Sequence, residues 1–209
     1  MFKLVIVICL GLGTFAAADD ILPQPSVSVK CCGRLRHGVM AIGGESTGTK
    51  ITFKRMAWEL QLLTPADRAF AEKHNKQSVV VIGSLRKVIG TEVKDRWIVE
   101  VKSIATCDAP KDEEVALLSI QGTLRMKESG LGEAAAMTID ADGQSWPVDF
   151  SLEPNLQAMA TALLDQPVQL LGQLKQFPEE ESRPPVIQVK TLRPAGKTPI
   201  QYPGELLFR

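Results

Sequence analysis

Hydrophobic and polar residues alternate along several stretches of the chain, and this alternation predicts β-strands. Between Val27 and Arg36 nearly every second residue is apolar, whereas the residues between them are mostly polar or charged. A period of two residues is typical of a strand with one buried face. The same reasoning predicts further strands at residues 50–53, 58–62, 79–86, 96–106, 146–150, 168–175 and 185–192.

Two segments have helical features instead. Thr64 can cap a helix, Pro65 suits the first helical position and Asp67 favours the first turn, so a short amphipathic helix is predicted to end near His74. A second helix is predicted to begin at Pro154. Each predicted helix follows the third strand of its half of the chain.

The strand pattern occurs twice along the chain. Val79–Arg86 matches Val168–Lys175 at a displacement of 89 residues, and Gly33–Arg36 matches Gly122–Arg125 at the same displacement. Trp58 matches a second tryptophan 88 residues later. A period this long exceeds that of solenoid repeats. The sequence therefore predicts two copies of one small domain, with two unrelated β-rich halves as the alternative.

Each half reads strand, strand, strand, helix, strand, strand, which is the order of elements in a five-stranded OB-fold barrel. The run Val79, Val81, Gly83 and Leu85 resembles strand four of the small bacterial OB-fold domains found in exported proteins. This resemblance implies a mainly β fold with one short helix per domain, in two tandem five-stranded OB-like Greek-key barrels. Another small β-barrel with a helix is the competing fold. OB-folds bind oligonucleotides, oligosaccharides or proteins, so the fold alone does not choose a ligand.

The start of the chain is typical of a secretory signal peptide, because Lys3 precedes the apolar run Leu4–Leu12 and the small residues Ala16–Ala18. Cleavage near Ala18 would leave the mature chain outside the cytoplasm, secreted or periplasmic, without a membrane span. The predicted boundaries are a signal peptide at 1–18, OB-like domain 1 at 26–107, a charged linker at 108–114, OB-like domain 2 at 115–195 and a C-terminal tail at 196–209. The tail either packs on the second barrel or frays.

Three cysteines remain after the predicted cleavage: Cys31, Cys32 and Cys107. A bond between the two adjacent cysteines would be strained, so we expect a disulfide from Cys31 or Cys32 to Cys107. All three lie in the first half, so the bond would be an addition to a fold that the second half builds without it. A metal site is not expected, because a fourth ligand and the Cys-x-x-Cys spacing are both missing.

Charge bears on the choice of partner. Lys+Arg and Asp+Glu both total 24, so the formal net charge is zero. Dedicated nucleic-acid binders usually carry a basic excess. We therefore expect a protein or an anionic polymer as partner, with single-stranded nucleic acid ranked last.

Cations recur at outward-facing positions of the predicted strands and form the candidate ligand-binding set. They are Arg36, Arg86 and Lys102 in the first half, and Arg125, Lys175 and Lys190 in the second. Since strand one of an OB barrel pairs with strand four and four with five, the three cations of a half are expected to line one outer face and bind a phosphate, sulfate or acidic polymer. A solvated sheet face is the alternative.

Aromatic residues add one candidate to this set. Trp58 and Trp146 share a strand face with apolar neighbours, so both are predicted to lie in the core. Trp97 stands beside Arg96 at the start of a strand and is the best candidate for an exposed ring.

Catalytic chemistry finds no support in the sequence. His37 and His74 are the only histidines and neither recurs in the second half, while Gly-x-Ser-x-Gly and His-Glu-x-x-His are both missing. We therefore expect an exported, non-enzymatic binding or interaction module with no cofactor. A structural component of a cell-envelope or secretion assembly is the alternative.

Overall fold

A computed structural model describes residues 24–39, 48–54, 56–88, 96–107, 116–127, 136–175, 185–196 and 202. Its elements are β1 (Ser26–His37), β2 (Thr49–Phe53), β3 (Met56–Gln61), α1 (Pro65–Lys73), β4 (Ser78–Val88), β5 (Arg96–Thr106), β6 (Ala116–Lys127), β7 (Ala136–Ala141), β8 (Gln144–Asp149), α2 (Pro154–Ala162), β9 (Pro167–Lys175) and β10 (Val186–Pro194). The predicted signal peptide, the linker and nearly all of the tail lie outside the described residues and stay predictions.

The first five strands close into a barrel. The strand β1 pairs with both β2 and β4, β2 pairs with β3, and β5 lies between β3 and β4, parallel to β3 and antiparallel to β4. The backbone of β2 comes so close to β1 at Gly33 that a Cβ there would lie only 2.5 Å from the carbonyl oxygen of Thr52, so this position requires glycine. The helix α1 connects β3 to β4 along the chain. The predicted mainly β fold with an OB-fold-like barrel is confirmed.

The strands β6 to β10 pair in the same order as β1 to β5. Backbone details recur as well. Lys76 and Asp165, which are 89 residues apart, both have positive φ, at 68° and 60°. The amide of Lys76 donates to the carbonyl of Leu35 at 2.9 Å, and the amide of Asp165 donates to the carbonyl of Leu124 at 2.8 Å. The repeat seen in the sequence is therefore also a repeat of backbone geometry.

Strand pairing joins the two halves. The strand β1 pairs antiparallel with β6, and Val29 stands opposite Leu118 in that ladder. The displacement of 89 residues that relates the halves carries Val29 onto Leu118, so the ladder has local two-fold symmetry about this pair. All ten strands form one continuous sheet. Backbone hydrogen bonds thus fix the relative position of the two halves.

Both predicted core tryptophans are buried, with 2% of Trp58 and 3% of Trp146 exposed. The helix α1 has the expected N-terminus: Thr64 and Asp67 form a reciprocal capping box. The helix α2 begins at Pro154 as predicted, but no side chain caps it.

Candidate functional site

One row of residues crosses all five strands of the first barrel on its outer face. Pairing in register places Arg36 of β1 opposite Lys50 of β2, and Lys50 opposite Glu59 of β3. The row continues because Glu59 stands opposite Ile98 of β5, and Ile98 opposite Arg86 of β4. We call these five residues, together with Arg96, the charged row.

The middle of the charged row is a buried ion pair. Arg96 donates from Nε to Oε1 of Glu59 at 2.9 Å and from Nη2 to Oε2 at 2.7 Å, so the contact is bidentate. Only 16% of the Arg96 side chain and 10% of the Glu59 side chain are exposed. Two parallel hydrogen bonds hold the guanidinium plane of Arg96 and the carboxylate plane of Glu59 in a fixed orientation, and the ion pair neutralises the one carboxylate of the row.

The cations of the charged row other than Arg96 are at least partly accessible to solvent. Arg36 and Arg86 are exposed and Lys50 is half-buried. Arg86 donates from Nη2 to Oε1 of Gln61 at 2.9 Å, which holds its guanidinium on the surface. The row contains four cationic side chains and one carboxylate, so its net charge is +3. Four strand spacings of about 4.8 Å give the row a length of about 19 Å.

The structure brings together only part of the predicted cation set of the first half. The pairing of β1 with β4 ends at Arg34, so Arg36 and Arg86 are not neighbours across these two strands. The register connects them only by way of β2, β3 and β5. Lys102 lies in a bulge, because Val101 and Ser103 pair with successive residues of β4 and leave Lys102 between them. That bulge is four residues along β5 from Ile98, about 13 Å from the row. The expectation that these three cations line one face is therefore corrected: Lys102 stands apart.

Trp97, the best candidate for an exposed ring, is half-buried. Its ring centroid lies 5.0 Å from that of Trp146, so the indole packs against the second half of the chain. The Nζ atom of Lys87 is 5.7 Å from the centroid of the Trp97 ring. Trp97 alternates with Arg96 and Ile98 along β5, so it points away from the charged row.

Among the described residues of the second half, the positions equivalent to Lys50 and Glu59 carry no charge. Thr138 occupies the position of Lys50, and Pro147 that of Glu59. Arg125, the counterpart of Arg36, donates to Oδ1 of Asp165 at 2.6 Å, and its Nε is 3.8 Å from Oδ2 of Asp140. The other two predicted cations of this half, Lys175 and Lys190, are exposed at the end of β9 and in the β10 bulge. The equivalent face is therefore close to neutral.

The cysteines of the first half form one bond. Cys32 and Cys107 are joined in a disulfide, and Cys31 is a buried free thiol. Burial raises the pKa of the Cys31 thiol far above its usual range. A thiol that stays protonated is a poor nucleophile, so Cys31 has the character of a core residue.

In the second half, hydrogen-bonded amide side chains lie at the place that corresponds to the disulfide of the first half. Arg193 donates from Nη2 to Oε1 of Gln169 at 2.8 Å. Gln169 donates from Nε2 to Oε1 of Gln121 at 3.4 Å, and Gln121 donates to the carbonyl of Gln24, also at 3.4 Å. Gln121 occupies the position of Cys32. Hydrogen bonds across β6, β9 and β10 thus tie the strands that a covalent bond ties in the first half.

Within the described part of the chain, no group of three His, Cys, Asp or Glu side chains is placed to hold a metal ion. Neither helix among the described residues combines the length and the apolar character needed to cross a membrane.

No family model and no curated protein matches the chain. Among solved structures, the chain is similar to the wild-type single-stranded DNA binding protein from Thermus aquaticus, with 14% identity, a TM-score of 0.49, and coverage of 87% of this chain and 98% of that chain. A deletion mutant of the same protein matches at 13% identity, with the same TM-score of 0.49 and the same coverage of 87% and 98%. Both are named as single-stranded DNA binding proteins, and these names contradict our ranking of a protein or an anionic polymer ahead of nucleic acid.

Sequence reasoning missed three charged members of the charged row: Lys50, Glu59 and Arg96. Lys50 alternates with Ile51 on β2, and this strand parity alone could have placed it on the outer face. The pair of Glu59 with Arg96 had no local signal, because the two residues are 37 positions apart and meet only when β3 and β5 pair in parallel.

Proposed function

We propose that the chain binds single-stranded nucleic acid along the charged row of its first barrel. The observation that carries this proposal is the unbroken register across five strands, which aligns the exposed Arg36, the half-buried Lys50 and the exposed Arg86. The only carboxylate of the row, on Glu59, is already neutralised by Arg96.

The position of the row supports an oligomeric ligand. OB-folds bind oligonucleotides and oligosaccharides on the face of strands two and three. In this chain that face carries Lys50 on β2 and the Glu59–Arg96 pair on β3 and β5. A neutral sugar would gain little from a net charge of +3, whereas phosphates spaced along a chain would pair with it.

The shape of the row favours a single strand over a duplex. The row follows the curve of a small barrel for about 19 Å. A duplex is stiff over about 50 nm and would touch such a surface at few points. A single strand can bend along the row and place successive phosphates on its cations.

We also propose that β1–β5 and β6–β10 are two tandem OB-like domains, of which the first holds the ligand. The equal order of strand pairing supports the two domains, and so does the recurrence of positive φ at Lys76 and Asp165. The neutral equivalent face of the second half supports the assignment of the ligand to the first.

Matched triple variants test the proposed site. Arg36→Gln, Lys50→Gln and Arg86→Gln together should weaken binding of a labelled oligothymidylate on the order of 100-fold at low salt, measured by fluorescence anisotropy. Arg125→Gln, Lys175→Gln and Lys190→Gln remove the same charge from the second half and should change affinity by less than about threefold.

Two results would overturn this site assignment. One is an equal loss of affinity in both triple variants, which would mean that only the overall charge matters. The other is full affinity in the variant that lacks the three cations of the charged row.

A further inference from the structure

We infer that the charged row holds the nucleic acid by its phosphates and leaves its bases unread. This inference rests on the proposed function and specifies its chemistry. The ligand recognised is a flexible phosphodiester chain, whatever bases it carries.

The first argument is the position of the aromatic rings. Among the described residues, no aromatic side chain belongs to the charged row. Phe53 packs edge-on against Trp58 with centroids 4.7 Å apart, inside the barrel. Phe70 stacks on His74 at the C-terminal end of α1 with centroids 4.3 Å apart, and Trp97 packs on Trp146. Base stacking on an aromatic platform, worth about 1–3 kcal/mol per base where it occurs, is therefore not offered by the row.

The second argument is the state of the other polar groups near the row. Reading a base edge requires side-chain donors and acceptors with bonds to spare. The Oε1 atom of Gln61 already accepts a hydrogen bond from Arg86, and both carboxylate oxygens of Glu59 accept from Arg96. With these acceptors engaged, the groups that the row presents to a ligand are the cationic N–H donors of Arg36, Lys50 and Arg86, which pair with phosphate oxygens.

The size of the electrostatic contribution follows from the number of cations. Single strands lose affinity with a slope of about −0.7 per phosphate contact in a plot of log K against log salt. Three contacts predict a slope of about −2. The slope should be the same for oligomers of different bases and for a chain without bases.

Three labelled oligomers of about 12 nucleotides separate phosphate from base recognition, and this length lies within the range covered by one OB-fold. They are oligothymidylate, an abasic strand with the same phosphates, and a methylphosphonate oligothymidylate that keeps the bases without the charge. The first two should bind the full chain within about threefold of each other, with salt slopes near −2, and the third should bind on the order of 100-fold more weakly.

The outcomes distinguish the inference from the proposal on which it rests. If oligothymidylate binds and the abasic strand loses more than about tenfold, the bases are read and the inference is wrong. If neither charged strand binds, the proposed function itself fails. If the methylphosphonate oligomer binds as well as the natural one, the phosphates are not the recognised group.

Discussion

The outer faces of the two halves differ although their strands follow the same path. Where the first half has Lys50 opposite Glu59, the second has Thr138 opposite Pro147. Backbone features recur between the halves, including a glycine of the first strand, Gly33 or Gly122, where a Cβ would collide with a backbone carbonyl oxygen of the second strand. The recurring glycines lie where strands approach closely, whereas the differences at the positions of Lys50 and Glu59 lie on the outer face of the sheet. The comparison teaches that the strand pairing of this fold accommodates the charged row but does not require it.

The halves also differ in how three neighbouring strands are tied together on the outside. In the first half the disulfide between Cys32 and Cys107 runs from β1 to the end of β5 and passes over β4. In the second half the amides of Gln121 and Gln169 and the guanidinium of Arg193 do this with hydrogen bonds. A covalent link limits the unfolded chain, whereas the hydrogen bonds act only in the folded state.

The largest expected effect in this comparison is the loss of the disulfide. Cys32→Ser with Cys107→Ser opens a loop of 75 residues, and the loop entropy predicts a loss of about 4 kcal/mol in the free energy of unfolding. Urea denaturation followed by tryptophan fluorescence measures it. Gln169→Ala, which cuts the amide series of the second half, should cost about 2 kcal/mol. An equal cost in the two variants would show that the covalent link adds nothing beyond its contacts.

The next effect concerns two ion pairs, one buried and one exposed. Glu59→Gln leaves the charge of Arg96 mostly buried without its carboxylate, so we expect a loss of about 3 kcal/mol in the free energy of unfolding. Asp165→Asn removes the partner of Arg125, but 72% of the Asp165 side chain is exposed, so the cost should stay below about 0.5 kcal/mol. Urea denaturation of both variants at one pH is the measurement. A cost of Asp165→Asn that matches that of Glu59→Gln would contradict the contrast.

The order of the elements, the repeat and the core could be predicted from the sequence because each depends on local alternation or on a recurring motif. Trp58 and Trp146 were assigned to the core by strand parity alone, and both are buried. The charged row could not be predicted, because register decides which outward residues become neighbours. The bulge at Lys102 shifts the register between β4 and β5, and it leaves no signal in the alternation of the strand.

Transferring the row to the second half tests whether the fold or the side chains carry the binding. The starting variant is the one that carries Gln at positions 36, 50 and 86. Adding Thr138→Lys there supplies the missing central cation, and Asp165→Asn releases Arg125 from its closest acid. Fluorescence anisotropy with oligothymidylate should show about a tenfold regain in affinity, equivalent to about 1.4 kcal/mol. Thr138→Gln with Asp165→Asn is the matched control, and a regain in that control would assign the effect to the lost acid alone.

The smallest effect concerns the buried thiol, which the second half replaces with Ile120. Burial raises the pKa of the Cys31 thiol in the folded state well above its usual value near 9. The folded chain therefore holds this proton more tightly than the unfolded chain, so the stability is complete below pH ~9 and falls as the pH rises further. At pH ~9.5 the loss should be about 0.8 kcal/mol.

The thiol measurement needs a background in which disulfide exchange cannot interfere. Urea denaturation of the Cys32→Ser, Cys107→Ser variant at pH ~7.5 and pH ~9.5 gives the change in the free energy of unfolding, and the same pair of measurements with Cys31→Ala added isolates the thiol. The cavity left by alanine lowers stability equally at both pH values, so it cancels in the difference. Because Tyr202 is also buried and its pKa is raised, the two variants should share a residual pH dependence. Identical pH dependence in both would mean that Cys31 ionises as easily in the folded state as in the unfolded one.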